Sequence, residues 1–184
     1  MRKIIATEFV TVDGVMESPH LWSSPFRSDE GGKFKHAELF AVDALLLGRV
    51  TYEEFAAAWP SQTDEKGYAD RMNSMPKYVI SSTLQSAGWS NTTIISSDVV
   101  AEVARLKEAP GQDILIFGSA ELVDSLTDQG LIDEYRLMTF PVVLGSGKRA
   151  FKEGRTKLTL ELGKTVSLPN GVTVASYHPV AEKD

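Results

Sequence analysis

Residues 44–54 read Ala-Leu-Leu-Leu-Gly-Arg-Val-Thr-Tyr-Glu-Glu. The run Ala44–Leu47 is short, continuous and apolar, the pattern of a strand covered on both faces of a sheet. Thr51-Tyr52-Glu53-Glu54 reads as a capping box, in which a Thr hydroxyl and a Glu carboxylate satisfy free N–H groups at a helix start. The predicted helix runs to Trp59, and Pro60 ends it.

Working outward, the same alternation recurs. Lys3–Val12 is rich in Ile, Val, Thr and Phe and reads as a strand closed by an Asp13-Gly14 turn. Residues 17–33 carry Pro, Ser and Gly and read as a long loop, with a helix beginning near Ser28 and running to about Phe40. Downstream, Lys77–Ser81 and Thr93–Ser96 read as strands. Asp98 caps a helix through Lys107 that carries Val99, Val103 and Leu106 on one face. Ile114–Phe117 is another continuous apolar strand, followed by Gly118-Ser119 and a helix to about Asp128 that Gly130 closes. From residue 131 the pattern turns β-rich: Ile132–Thr139, Lys157–Leu162, then a hairpin about Pro169-Asn170-Gly171 into Val172–Tyr177. The predicted fold class is therefore α/β: one domain over residues 1–184 with a mostly parallel central sheet and an antiparallel C-terminal edge.

Composition narrows the function. A chain of 184 residues with 42% hydrophobic and 24% charged residues has room for a real core, which excludes disordered, collagen-like and coiled-coil readings. Its 19 basic and 25 acidic residues give a net charge of -6, which argues against non-specific nucleic-acid binding. There is no cysteine, hence no disulfide, thiolate metal site or cysteine nucleophile. His20, His36 and His178 lack ligand spacing, so no metal is expected. No apolar run approaches the ~20 residues that span a bilayer, and Met1–Ala6 reads as a first strand, not a signal peptide. The expected setting is cytoplasmic, with no membrane partner. No Gly-x-Ser-x-Gly elbow supports an esterase.

The functional signal lies in the short segments just after the buried strands. Gly48-Arg49-Val50-Thr51 and Gly118-Ser119-Ala120 each lead into a helix, and Ser81-Ser82-Thr83 comes directly after a third strand. In open α/β sheets, ligands gather at the carboxyl ends of strands. Helix N-termini offer free N–H donors and partial positive charge, which suit phosphate. Taken singly, each piece has an ordinary reading: a strand-to-helix connection, a polar turn, an Arg49 paired with Glu53. Together, two helix starts and Arg49 suit a pyrophosphate, and the hydroxyls of residues 81–83 suit a further phosphate, a description of NADP. The usual GxGxxG and GxxxxGK[ST] signatures are absent.

These residues resemble a known family. Leu46–Glu53 is similar to the Gly-Arg-x-Thr-aromatic-Glu segment of dihydrofolate reductases, Lys77–Ser81 to the strand after it, and Ile116–Val123 to their second cofactor turn. Leu131–Leu137 and Phe140–Gly147 resemble more closely the C-terminal reductase domain of riboflavin biosynthesis, as found in stand-alone bacterial proteins. With Val12-Asp13-Gly14 the likeness covers nearly the whole chain. It implies a dihydrofolate-reductase-like three-layer α/β/α fold that binds NADPH. On that resemblance, Gly48, Arg49, Val50 and Thr51 serve the pyrophosphate and adenosine end. Ser81, Ser82 and Thr83 meet the ribose phosphate. Phe117, Gly118, Ser119, Ala120, Glu121 and Leu122 form the second phosphate turn, while Phe9 and the Val15-Met16 loop flank the nicotinamide. A homodimer is expected through the β-rich third and the segment Pro141–Phe151. Three departures stand out. The pterin-binding acid of dihydrofolate reductases would fall near Gly32, which argues against dihydrofolate as substrate. Their paired glycines, joined by a cis bond, read Gly118-Ser119. Glu121 stands where an arginine often assists phosphate.

Hydride transfer needs positioning more than a reactive side chain, but a proton source helps by roughly 10²–10⁴-fold. The candidates are Asp13, Glu8 and a water held by Thr139. Glu8 is the one acid in an otherwise apolar strand, facing either a pocket or solvent. Trp22, Phe26 and Phe34 read as core or as the lining of a site for a flat ligand. The expectation is an NADPH-dependent reductase of a small heterocycle, pterin-like or riboflavin-precursor-like; the alternative is a nucleotide-binding protein of the same fold without turnover.

Overall fold

In the computed structural model, which describes residues 1–180, eight strands form one sheet in the order β4-β3-β2-β5-β1-β6-β8-β7. The strands are β1 (Ile4–Thr11), β2 (Val42–Gly48), β3 (Lys77–Ile80), β4 (Thr92–Ile95), β5 (Asp113–Phe117), β6 (Glu134–Phe140), β7 (Leu160–Ser167) and β8 (Thr173–Pro179). The helices are α1 (Pro19–Trp22), α2 (Asp29–Phe40), α3 (Arg49–Ala58), α4 (Tyr68–Ser74), α5 (Val99–Glu108) and α6 (Ala120–Asp128). Strands β1 to β6 run parallel, and β8 and β7 add the antiparallel edge. The fold class read from the sequence is the one found.

Alternation along β1 and β2 explains the layers. Ile4, Ala6, Ala44 and Leu46 face α5 and α6, packing on Val103, Leu106, Leu122 and Leu126. Ile5, Leu45 and Leu47 face the other way, onto Leu39 of α2, Tyr52 of α3 and Met72 of α4. A strand covered on both faces has no polar side to show, hence the unbroken Ala-Leu-Leu-Leu. Beyond β1, a smaller cluster of Trp22, Met138, Phe140, Val172 and Val174 fills the space under the chain leading into α2.

Local details depart from expectation. Helix α3 starts two residues before Thr51: Gly48 is its N-cap, and Thr51 lies in the first turn. Asp98 precedes α5 with left-handed backbone and makes no side-chain cap. The strand expected at residues 157–162 pairs instead over Leu160–Ser167, because its register is counted from the turn, starting at Ser167 opposite Thr173. The described peptide bonds are all trans, including Gly118–Ser119. Among the described residues, no helix is long and apolar enough to cross a membrane, and no cluster of acids and histidines is arranged to hold a metal.

Candidate active site

Because β1, β2, β3 and β5 are parallel neighbours, their carboxyl ends share one edge. Adjacent strands lie ~4.8 Å apart, so the turns after them crowd together. Ser119 joins two of these turns. Its Oγ accepts from the Gly48 N–H at 3.0 Å, donates to Thr51 Oγ1 at 3.0 Å and lies 3.1 Å from the Phe117 carbonyl. Gly48 runs close to that side chain: a Cβ there would meet Ser119 Cβ and Oγ at contact distance, 3.4 Å. Gly118 and Ser119 both adopt left-handed backbone, φ 54° and 59°. For serine that conformation costs on the order of 1 kcal/mol, offset by the three contacts its hydroxyl makes.

Neither helix start is satisfied by a side chain: Gly48 and Ser119, the N-caps of α3 and α6, make no capping hydrogen bond. Their first-turn amides thus keep donors free for an anion. Arg49 gives one nitrogen, Nη1, to Glu53 at 2.9 and 3.1 Å. Its remaining guanidinium donors have no partner among the described residues. Glu121 pairs with Lys148 at 2.9 Å, and that bond holds its carboxyl below the usual range, with Arg49 contributing across the gap between the two turns. Ser81 Oγ accepts from the amides of Thr83 and Leu84, so this hydroxyl shapes its own turn, while Ser82 and Thr83 are exposed. Val50 is exposed at the surface, and Leu122 points into the core beside α5.

Next to these turns lies a cavity of about 340 Å³, lined by Phe9, Phe26, Phe140, Met138, Lys35 and the backbone of Gly31 and Gly32, with Arg27 at its mouth. Phe140 gathers the aromatic wall, with ring centroids 5.0 Å from Phe9, 5.4 Å from Trp22 and 6.0 Å from Phe26. The Lys35 ammonium sits 5.5 Å from the Phe9 ring and 4.7 Å from the Phe117 ring. Phe117 directly precedes Gly118, so cavity and helix starts adjoin. A second, polar hollow near Arg155 and Lys152 lies by the end of α6, away from them.

Structure redirects the three proton-source candidates. Asp13 accepts from Thr11 Oγ1 and from the amides of Gly145 and Leu144. The Thr11 bond first, then the Gly145 amide, lower its pKa to about 2. Asp13 is therefore a fixed carboxylate that clasps one loop to another. Glu8 alternates away from Phe9 and lies with Ala6 and Val10 on the opposite face of β1, buried, with neither carboxyl oxygen hydrogen-bonded. Thr139 is in register with Val10 on that same face, whereas Met138 and Phe140 line the cavity. Val15 is fully buried beneath Gly147 and its amide is taken by Thr11 Oγ1, so its side chain is closed to a ligand.

Sequence reasoning missed the polar floor. Lys35 donates to Thr7 Oγ1 at 3.0 Å and to Glu38 Oε2; Thr7 donates to the same Glu38 oxygen at 3.1 Å, and Arg136 reaches Glu38 Oε1 at 3.3 Å. The signal was available: Thr7 is polar on the α2-facing side of β1, and Lys35 and Glu38 are spaced i, i+3 on one helix face.

The RibD C-terminal domain family matches residues 2–174. The chain belongs to the RibD C-terminal domain family. The protein YyaP of Bacillus subtilis is 32% identical over 180 residues, 96% of this chain and 95% of that one. Two solved structures share the fold. The Thermotoga maritima diaminohydroxyphosphoribosylaminopyrimidine deaminase/5-amino-6-(5-phosphoribosylamino)uracil reductase superposes with TM-score 0.68 at 14% identity, covering 97% of this chain and 57% of that one. Dihydrofolate reductase from Enterococcus faecalis, complexed with NADP(H), gives TM-score 0.64 at 16% identity, covering 96% of each chain. This RibD-type, dihydrofolate-reductase-like fold supports a reductase-type function.

Proposed function

We propose that the protein is an NADPH-dependent reductase of a small heterocyclic molecule, pterin-like or riboflavin-precursor-like. One observation carries the reading: Ser119 ties together two uncapped helix starts, directly beside an aromatic cavity. The residues present suit the cofactor. First-turn amides of α3 and α6 would hold its diphosphate, with the free donors of Arg49 beside them. Ser82 and Thr83, one strand further along, would meet the adenosine side. Bound NADPH supplies the hydride. The protein's part is to orient: Phe9 and Phe117 bound the junction between cradle and cavity, and the apolar wall excludes water from it.

A rival reading, nucleotide binding without turnover, draws on the fact that Asp13, Glu8 and Thr139 do not line the cavity. NADPH titration by fluorescence tests the cradle, with saturable binding expected; no binding ends the proposal. Loss of nicotinamide absorbance on adding a heterocyclic substrate separates reductase from binder. The same reading takes the chain as a cytoplasmic homodimer. Val143, 70% exposed, and the exposed edge strand β7 support a second copy on the β-rich third. Sedimentation analysis checks it.

A further inference from the structure

We propose that the polar hollow at the carboxyl end of α6 binds a phosphate group, free or carried by a small polar molecule, at the opposite edge of the sheet from the candidate active site. The inference does not rest on the reductase reading. Helix α6 begins at Ala120, just after β5, and its nine residues carry the chain about 13 Å at ~1.5 Å per residue before it turns into the amino end of β6. An anion held beside Asp128 and one held beside Ser119 therefore occupy separate sites.

The hollow holds about 430 Å³, and its wall carries three cations, Lys152, Arg155 and Lys157, against one carboxylate, Asp128. Asp124 stands behind Arg155, and with its charge counted the cluster still keeps an excess of positive charge. Arg155 is the central group. Its side chain is only 10% exposed. Among the described residues its hydrogen bonds all leave from Nη2, to the Asp124 carbonyl and carboxylate at 3.3 Å and to Asp128 Oδ1 at 3.0 Å. Nε is buried and has no partner among those residues, a state that folded proteins rarely tolerate. Cations gather at helix carboxyl ends, which accounts for part of the charge; it does not account for a guanidinium with a buried, unmatched Nε. A guanidinium committed through one nitrogen suits a tetrahedral oxyanion, which presents acceptors in several directions. Lys152 reaches Asp128 at 3.3 Å, with both side chains about half exposed, a solvated pair that an incoming phosphate can exchange. Thr156 adds an exposed hydroxyl to the wall. No aromatic ring among the described residues lines the hollow, unlike the cavity beside α2, so a nucleobase has nothing to stack on and the ligand is small and polar.

The test is calorimetric titration with inorganic phosphate and with glycerol 3-phosphate, read beside the amide resonances of Asp128, Gly154 and Thr156. Saturable binding that shifts these resonances is expected. Arg155→Met should weaken it by about tenfold or more, the size of one charged hydrogen bond. Asp128→Asn should tighten it roughly two- to fivefold, the worth of a solvated ion pair, by removing the competing carboxylate. Arg49→Ala, at the other edge of the sheet, should leave it unchanged. Tighter binding of the monoester supports an esterified ligand that fills the rest of the hollow, and equal binding supports phosphate itself. No saturable binding of either probe by the wild type would overturn the proposal, whether or not Arg155→Met folds. So would binding that shifts the amides of Arg49 and Ala120 instead, binding lost in folded Arg49→Ala, binding unchanged in folded Arg155→Met, or binding weakened in folded Asp128→Asn.

Discussion

Glu8 and Glu38 are buried to nearly the same extent, 2% and 3% exposed, against opposite faces of β1. Glu38 comes from α2 and meets three donors: Thr7, Lys35 and Arg136. Glu8, next to Thr7 in the chain, meets none. Burial pushes the Glu8 carboxyl well above the ordinary carboxylate range; Lys35 opposes that push and Glu38 adds to it. Depth alone therefore does not decide whether a buried acid finds partners. The donors are gathered on the face that holds the cavity. The polar floor of the cavity is a built network, while Glu8 is a buried acid without a hydrogen-bond partner.

Removing Glu38 should have the largest effect. Glu38→Leu leaves Lys35 and Arg136 facing an apolar side chain, and breaking a buried ion pair costs about 3–5 kcal/mol. Because both cations keep partial solvent access, the lower end, about 3 kcal/mol, is expected from urea denaturation. The same variant should disturb ring binding, since Lys35 loses its anchor. A loss below about 1 kcal/mol would show that the network does not distinguish the two acids.

Glu8→Met should act in the opposite direction, through pH. With its folded pKa raised, Glu8 binds a proton in the native state that the unfolded chain has released. Stability is then highest below the unfolded value, near 4.5, and falls as pH rises toward the folded value. Glu8→Met removes that fall. Thermal melts at pH 5 and pH 8 should show the variant gaining on wild type at the higher pH, by about 1–2 kcal/mol for a relieved buried polar group. A gain equal at both pH values would mean that Glu8 does not titrate in this way.

The same contrast explains what was legible. Buried strands were readable because both-sided burial writes itself as apolar runs, so β2, β3 and β5 fall where residues 44–47, 77–81 and 114–117 suggested. The turns at Gly48 and Gly118 were readable because glycine ahead of a helix marks a close approach. Glu8 stood out as an acid in an apolar strand, yet which face it took depended on register with β6, a long-range fact. Lys35 was hidden because α2 reads Asp-Glu-Gly-Gly-Lys-Phe-Lys-His, a polar sequence with no obvious buried stripe. Its burial comes from tertiary contact with Thr7 and two aromatic rings. Helix α4 escaped notice too: its start is held by Asp64, whose carboxylate accepts from the amides of Lys66, Tyr68 and Ala69 across a turn.

Arg49 supplies the third case, a charge that is partnered but solvated. Its bridge to Glu53 is an i, i+4 pair with both side chains nearly half exposed, and such pairs contribute about 0.3–0.5 kcal/mol. Arg49→Ala should therefore shift stability by less than about 0.5 kcal/mol, the smallest change of the three. Its effect on NADPH should be larger than its effect on folding. One nitrogen engages Glu53 and the other donors stand beside two uncapped helix starts; a charged hydrogen bond to phosphate is worth about 1.5–3 kcal/mol, roughly tenfold or more in affinity. Urea denaturation and NADPH titration on the same variant separate the two roles. Unchanged affinity with unchanged stability would reduce Arg49 to a surface charge and move the diphosphate away from α3, whereas weaker binding at constant stability would make it the member of the comparison whose free donors, and not its burial, matter to function.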